Sequence, residues 1–261
     1  MPDAYNPDHF KAFVDIEDRH FWFRARNRTL SAVIGRLVAA NAEGYRVLEV
    51  GCGDGNTLRM LEATCAGAAL VGMDVYAEGL SYARRRTSAR LVQGRTEQPP
   101  FNVRFHLVAL FDVLEHLDDD RGALARLRDL VEPGGALVVT VPACGRLWSR
   151  FDEESLHRRR YEPADLARRL READFEVEYV TLFMMALYPV ARVGRRLGDR
   201  IRSARARSAG TEGSAVMDEI RIRPGINLLM RAALAPEPRL LGWRWRLPFG
   251  TSVLAVARAP R

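Results

Sequence analysis

Lysine and cysteine are nearly absent from this sequence. Among 261 residues there are three cysteines (Cys52, Cys65, Cys144), and Lys11 is the sole lysine among 40 basic residues. Three thiols cannot form a closed disulfide set, and no two stand at a C-x-x-C metal-ligand spacing. A disulfide-stapled scaffold is therefore excluded, and a reducing cytoplasm is the expected compartment. No run of 18 apolar residues occurs, so no membrane-spanning helix is expected. Met1 to Lys11 is polar and lacks the basic-then-apolar order of a secretory leader. Internal repeats and low-complexity tracts are missing as well.

What is present is ordinary for a globular chain: 48% hydrophobic and 28% charged residues. This excludes disorder, collagen and coiled coil as overall descriptions. The net charge of +7 is unevenly placed. Met185 to Arg246 holds 13 arginines against 5 acids, and the remainder of the chain is close to neutral. A nucleic-acid binder with an even basic surface is not patterned this way.

Apolar periodicity predicts helices over Phe10–Ile16 and Asn27–Ala40, joined by an aromatic-basic knot, His20-Phe-Trp-Phe-Arg-Ala-Arg26. Short apolar runs predict strands at Arg46–Val50, Ala69–Asp74, Arg90–Gln93, His106–Leu110, Ala136–Val141, Glu176–Leu182 and Gly250–Arg258. Helical spacing falls between them at Thr57–Ala66, Ala77–Thr87, Asp120–Val131 and Pro163–Ala173. Alternation of strand and helix from 46 to 182 predicts an α/β fold, a parallel sheet with helices on both faces.

Glu49-Val-Gly-Cys-Gly-Asp-Gly55 joins the first predicted strand to the first helix after it. Gly51, Gly53 and Gly55 allow a tight turn and close approach of a ligand to the backbone. The spacing is G-x-G-x-G, whereas the dinucleotide fingerprint is G-x-G-x-x-G. The shorter loop suits a ligand without a pyrophosphate. Asp74 ends the next strand, at the offset where a carboxylate grips ribose hydroxyls.

Together with Val71-Gly-Met-Asp74, Leu110-Phe-Asp-Val-Leu-Glu-His-Leu117 and Leu130-Val-Glu-Pro-Gly-Gly-Ala-Leu137, this loop resembles the class I S-adenosylmethionine-dependent methyltransferases. The resemblance covers roughly residues 20–182 and the last strand, and the D-V-L-E-H segment is similar to that of the ubiquinone-pathway O-methyltransferases. It implies a Rossmann-like, mostly parallel seven-stranded sheet, with S-adenosyl-L-methionine as cofactor. Residues Glu49, Gly51, Cys52, Gly53 and Gly55 would form the cofactor loop, with Cys52 chemically inert. Asp74 would hold the ribose and Val75 the adenine. Thr96, within Gly94-Arg-Thr-Glu97, would face the adenine amine; Arg95 stands where many relatives carry an acid. Leu110, Phe111 and Asp112 would lie below the sulfonium, and Arg24 or Arg26 would pair with the cofactor carboxylate.

For a hydroxyl acceptor the chemistry needs a base. His116 and His157 both follow strands expected to end at the active edge, and His157-Arg-Arg-Arg-Tyr161 adds Tyr161 as a further candidate. Asp112, Glu115, His116 and His157 also have the residue types of a divalent-metal site, as some methyltransferases with an E-x-x-E-H segment use. The preferred reading takes no metal, with Glu115 capping the following helix. His9 and His106 are read as solvated and structural.

The predicted organisation is an N-terminal helical cover (1–43), a core (44–183 plus 248–261) and a basic, apolar helical cap inserted between strands 6 and 7 (184–247). Within the cap, Val193, Leu197 and Ile201 recur at four-residue steps, Asn227–Leu234 reads as a helix, and Ser208–Ser214 as a flexible stretch. The expected activity is methyl transfer to a small or lipid-like acceptor, most simply at oxygen, with nitrogen or carboxylate oxygen also open. A membrane-surface contact through the cap is left open, and no nucleic-acid partner is expected. A catalytically silent cofactor-binding protein and a nicotinamide-dependent oxidoreductase are the alternatives.

Overall fold

A computed structural model describes residues 9–39, 41, 43–193 and 215–261. Seven strands form one sheet: β1 Arg46–Val50, β2 Ala69–Asp74, β3 Arg90–Gln93, β4 Phe105–Phe111, β5 Val131–Pro142, β6 Glu176–Phe183 and β7 Ser252–Arg258, in the order β3-β2-β1-β4-β5-β7-β6. The first five in that order pair in parallel; β7 runs antiparallel between β5 and β6. Central strands are apolar on both sides because helices cover both faces. Leu48, for instance, lies between Val71 and Val108.

One face is covered by α5 (Asp120–Leu130) and α7 (Pro163–Glu172), which bury Leu124, Leu127, Leu166 and Leu170. The other is covered by α2 (Phe21–Val38), α3 (Asn56–Thr64) and α11 (Glu237–Gly242), through Leu30, Ile34, Leu61 and Leu241. The N-terminal cover and the segment between β6 and β7 thus share one layer. The remaining described helices are α1 (His9–Ile16), α4 (Ala77–Ala83), α6 (Arg150–Glu154), α8 (187–193), α9 (Ala215–Ile220) and α10 (Pro224–Ala233). None is long and apolar enough to cross a membrane.

Two boundaries differ most from expectation. The aromatic-basic knot is not a connector but the first turns of α2. His20 is its N-cap, its Nδ1 accepting the Trp22 N–H at 3.3 Å. The periodicity Phe23, Arg26, Leu30, Val33 is concealed because an arginine occupies a buried position. Strand β5 starts at Val131, five residues early. Val131 pairs with Phe105 across a register shift, and Gly134, at φ 74°, donates to the Ala259 carbonyl. The five-residue α6 was not expected; Ser149 and Asp152 form its capping box. The expected helical continuation through Leu197 and Ile201, and the 208–214 stretch, lie outside the described residues.

Glu237 fastens α11 to the end of β6. Its buried carboxylate accepts the Met184 and Met185 N–H groups at 2.8 and 2.6 Å. Glu237→Ala strands two buried donors and is expected to lower stability by about 2–4 kcal/mol, read from the urea midpoint. A midpoint unchanged from the parent protein would show that water satisfies both groups.

Candidate active site

Residues 51–55 connect β1 to α3. Gly51 has φ 76°, and a Cβ there would lie 2.2 Å from Val113 Cγ2, so glycine is required. The Gly51 and Cys52 N–H groups donate to the Met73 carbonyl at 2.7 and 3.1 Å. Gly53 N–H donates to Asp74 Oδ2 and Tyr76 N–H to Asp74 Oδ1, each at 2.8 Å. Asp74 therefore holds the loop, and each of its oxygens retains acceptor capacity. Burial raises its carboxyl above the usual range, opposed by those backbone donors.

A cavity of about 700 Å³ opens over the carboxyl ends of the strands. Gly51, Cys52, Gly53, Asp74, Val75 and Thr96 line one side of it. Phe111 and Asp112 line the floor, and Arg26 also faces it. Arg26 Nη1 donates to Asp112 Oδ2 at 2.8 Å, and its guanidinium lies 4.8 Å from the Trp22 ring centroid. Its buried Nε has no hydrogen-bond partner. That spare N–H of an otherwise paired guanidinium, with the glycine cradle and Asp74, fits a nucleoside bearing a carboxylate tail.

Four residues of the expected cofactor set stand elsewhere. Gly55 sits at the start of α3 at φ 84°, where a Cβ would meet Ala83 Cα at 2.9 Å; it is needed for packing on α4. Glu49 is buried beneath the loop and accepts from the Thr57 hydroxyl. Arg24 faces away: its Nη1 donates to the Asp18 carbonyl, and it borders a separate surface groove. Leu110 is core. Cys52 touches the cavity, but its thiol is raised by burial and then by Glu49 and Asp74, which favours the inert protonated form.

His116 and His157 converge at the far side of the cavity, their ring centroids 4.8 Å apart. His157 Nδ1 lies 2.9 Å from Asp152 Oδ1. Asp152 also accepts Arg160 Nε at 2.7 Å and Nη2 at 3.0 Å. Burial alone would raise its pKa, yet the bonds from His157 and Arg160 hold it at about 2. An ionised carboxylate only accepts, so Nδ1 carries the proton and Nε2 is left as the basic nitrogen.

Tyr161 does not reach the cavity. Its buried hydroxyl donates to Asp120 Oδ2 at 2.8 Å, and burial raises its pKa. Glu115 does not cap the next helix; Asp119 does, accepting the Gly122 N–H at 2.8 Å. Instead Glu115 is buried at the cavity wall, its Oε2 unpartnered and its carboxyl raised well above the usual range by burial and by Asp112. Ligand atoms of Glu115, His116 and His157 lie within 4.8 Å of one another. His106 is structural, accepting the Arg46 N–H at 3.1 Å. Sequence reasoning missed Asp152. The Ser149-x-x-Asp152 spacing signals a helix start, but nothing in it signals a histidine partner.

A methyltransferase-domain family model matches residues 22–180, more than half of the chain. The chain belongs to the class I S-adenosylmethionine-dependent methyltransferases. It is 33% identical over 114 residues to a fatty-acid O-methyltransferase of Mycolicibacterium smegmatis, spanning 39% of this chain and 38% of that protein. It is also 33% identical over 113 residues to a ubiquinone biosynthesis O-methyltransferase of Rhodopseudomonas palustris, spanning 41% and 43%. The chain thus aligns with about two-fifths of either relative's length. In fold it is similar to a putative methyltransferase solved in complex with the Haloferax volcanii Trm112 activator, at a TM-score of 0.59 and 19% identity, covering 97% of this chain and 95% of that one. The cofactor of this methyltransferase is S-adenosyl-L-methionine.

If Asp74 carries the ribose, Asp74→Ala should weaken S-adenosylhomocysteine binding about 10- to 150-fold by calorimetry. An unchanged affinity removes that role. Glu49 offers a pH test. Burial raises its carboxyl to about 8 from 4.5, against the opposing Thr57 bond. The folded state therefore binds its proton more tightly than the unfolded state. Its contribution to stability is complete below pH 4.5 and is lost as pH rises to about 8. Glu49→Gln cannot titrate, so its melting temperature should gain on the wild type steadily across that window. A constant gap would mean that Glu49 titrates normally.

Proposed function

We propose that this methyltransferase acts on an oxygen of a small or lipid-like acceptor, with His157 accepting the acceptor proton. The observation that carries the reading is the Asp152–His157 pair at the wall of the cavity that also holds Asp74. Asp152 fixes the imidazole tautomer and stabilises the imidazolium once the proton arrives. Both curated relatives reported above are named as O-methyltransferases, which supports oxygen over nitrogen.

S-adenosylmethionine supplies an electrophilic sulfonium methyl. The chain's own residues do the rest. The glycine loop and Asp74 would hold the nucleoside, Val75 and Thr96 would border its base, and Arg26 Nε would donate to its carboxylate. Phe10, Phe13, Phe21 and Trp22 line the cavity and keep water out. Leu187, Ile226 and Met230 add an apolar wall suited to a hydrophobic acceptor. Alignment of acceptor with methyl is the larger part of catalysis.

A second reading comes from Glu115, His116 and His157, whose proximity and unpartnered Oε2 fit a divalent cation that would bind an acceptor hydroxyl. Chelation separates the two readings: loss of turnover in EDTA, restored by added cation, favours the second. Under the first, His157→Ala lowers kcat about 100- to 10,000-fold while calorimetric S-adenosylhomocysteine affinity holds. Tyr161→Phe, by contrast, should keep turnover. An unaltered kcat in His157→Ala would eliminate the base and leave an acceptor that is already ionised.

A further inference from the structure

Helix α10 buries none of its residues. Leu228 and Leu229 stand 68% and 62% exposed, and Ile226 49%. Trp243 and Trp245, just beyond α11, are 58% and 61% exposed. Both helices pack on α2, so these side chains decorate one helical layer. A helix with adjacent exposed leucines is unfavourable in water unless something covers it.

The charge around it indicates what does. Leu228 lies in a groove with Arg19, Arg24, Arg221 and Arg231. Arg24 has its pKa lowered, first by burial and then by the charges of Arg231 and Arg28. Asp18, the acid that acts on Arg24, is itself engaged by Arg59. The face is therefore apolar in the middle and cationic around it, complementary to an anionic bilayer. A nucleic acid would also satisfy the arginines, but it offers nothing for exposed leucines to enter.

The same helix forms part of the active-site wall. Ile226, Asn227 and Met230 line the cavity, and so does Val190, which is 58% exposed. The cavity thus opens beside the exposed leucines. Asn227 holds this arrangement: its Oδ1 accepts the Phe21 N–H at 2.7 Å, and its Nδ2 donates to the Arg19 carbonyl at 3.1 Å.

We propose that α10 docks the protein on an anionic lipid bilayer, with Leu228 and Leu229 among the acyl chains and Arg24, Arg28 and Arg231 at the headgroups. An amphipathic acceptor then enters from the membrane past Ile226 and Val190. The entry route rests on the lipid-like acceptor proposed above; the docking does not.

The test is co-sedimentation of the full-length chain with vesicles of phosphatidylcholine alone or with added phosphatidylglycerol, no acceptor being present. Phosphatidylglycerol vesicles should retain the protein, and rising salt should release it. Leu228→Ser with Leu229→Ser should weaken retention about tenfold or more, and Arg28→Gln with Arg231→Gln about 10- to 30-fold. Unaltered S-adenosylhomocysteine binding certifies that each variant is folded. Equal retention of wild type and both variants overturns the proposal. So does tight binding to duplex RNA with no retention by either vesicle. Because the readout is partition, failure of the acceptor assignment leaves it unaffected.

Discussion

The hydrogen bond from the Gly53 N–H to Asp74 Oδ2 is the constraint on which the site depends. Strands β1 and β2 pair in parallel with Val50 opposite Met73, so both chains leave the sheet at the same edge. The loop after β1 must turn at once, with φ 76° at Gly51, 50° at Gly53 and 84° at Gly55. Such a turn has no secondary structure to hold it, and its entropy cost is high. Asp74 supplies the missing acceptor and orders the loop. It also leaves carboxylate lone pairs directed at the cavity. The loop's anchor and the proposed ribose contact are thus the same side chain.

A second tie closes the other side. Asp112 follows β4 with φ 54°, a strained value for a residue other than glycine. It is held there by its N–H on the Thr140 carbonyl at 2.9 Å, by the Thr140 hydroxyl at 3.2 Å and by Arg26 at 2.8 Å. A partly buried ion pair contributes little net stability, but losing one partner leaves the other charge desolvated and uncompensated. Its effect is to place α2, and with it the aromatic wall of Phe21, Trp22 and Phe23, against the floor of the cavity. A helix at the start of the chain is thereby fixed to the middle of the sheet.

The core was legible in the sequence because its signals are local. Each strand is a short apolar run, the glycine spacing reports a turn, and Asp74 lies one strand further along. The start of α2 was not legible, since Arg26 fills a buried position only because Asp112 awaits it 86 residues later. Arg24 and Arg26 are indistinguishable by spacing; the turn of the helix aims one into the cavity and the other outward. Tyr161 looked available for chemistry, yet its partner Asp120 is 41 residues away in sequence. Gly55 looked like a ligand contact and is instead a packing site against α4. In each case the deciding group is distant in the chain, beyond the reach of periodicity.

The environments of the acids around the cavity narrow the route of the proton in the proposed reaction. Burial, and then the neighbouring Asp112, push the Glu115 carboxyl well above the usual range, toward the protonated form. Glu49 behaves the same way under the glycine loop. Asp152 is equally hidden from solvent, but two donors from Arg160 and one from His157 keep it ionised. Groups of like chemistry are thus driven to opposite charge states by their neighbours, which is how one site separates its acid from its base. Asp152 is committed to those donors, and the Tyr161 phenol to Asp120. Among these groups, the imidazole that Asp152 orients is the one with both a free lone pair and a charge to stabilise its protonated form. Asp152 thus orients His157 at 2.9 Å, its ring centroid 4.8 Å from that of His116.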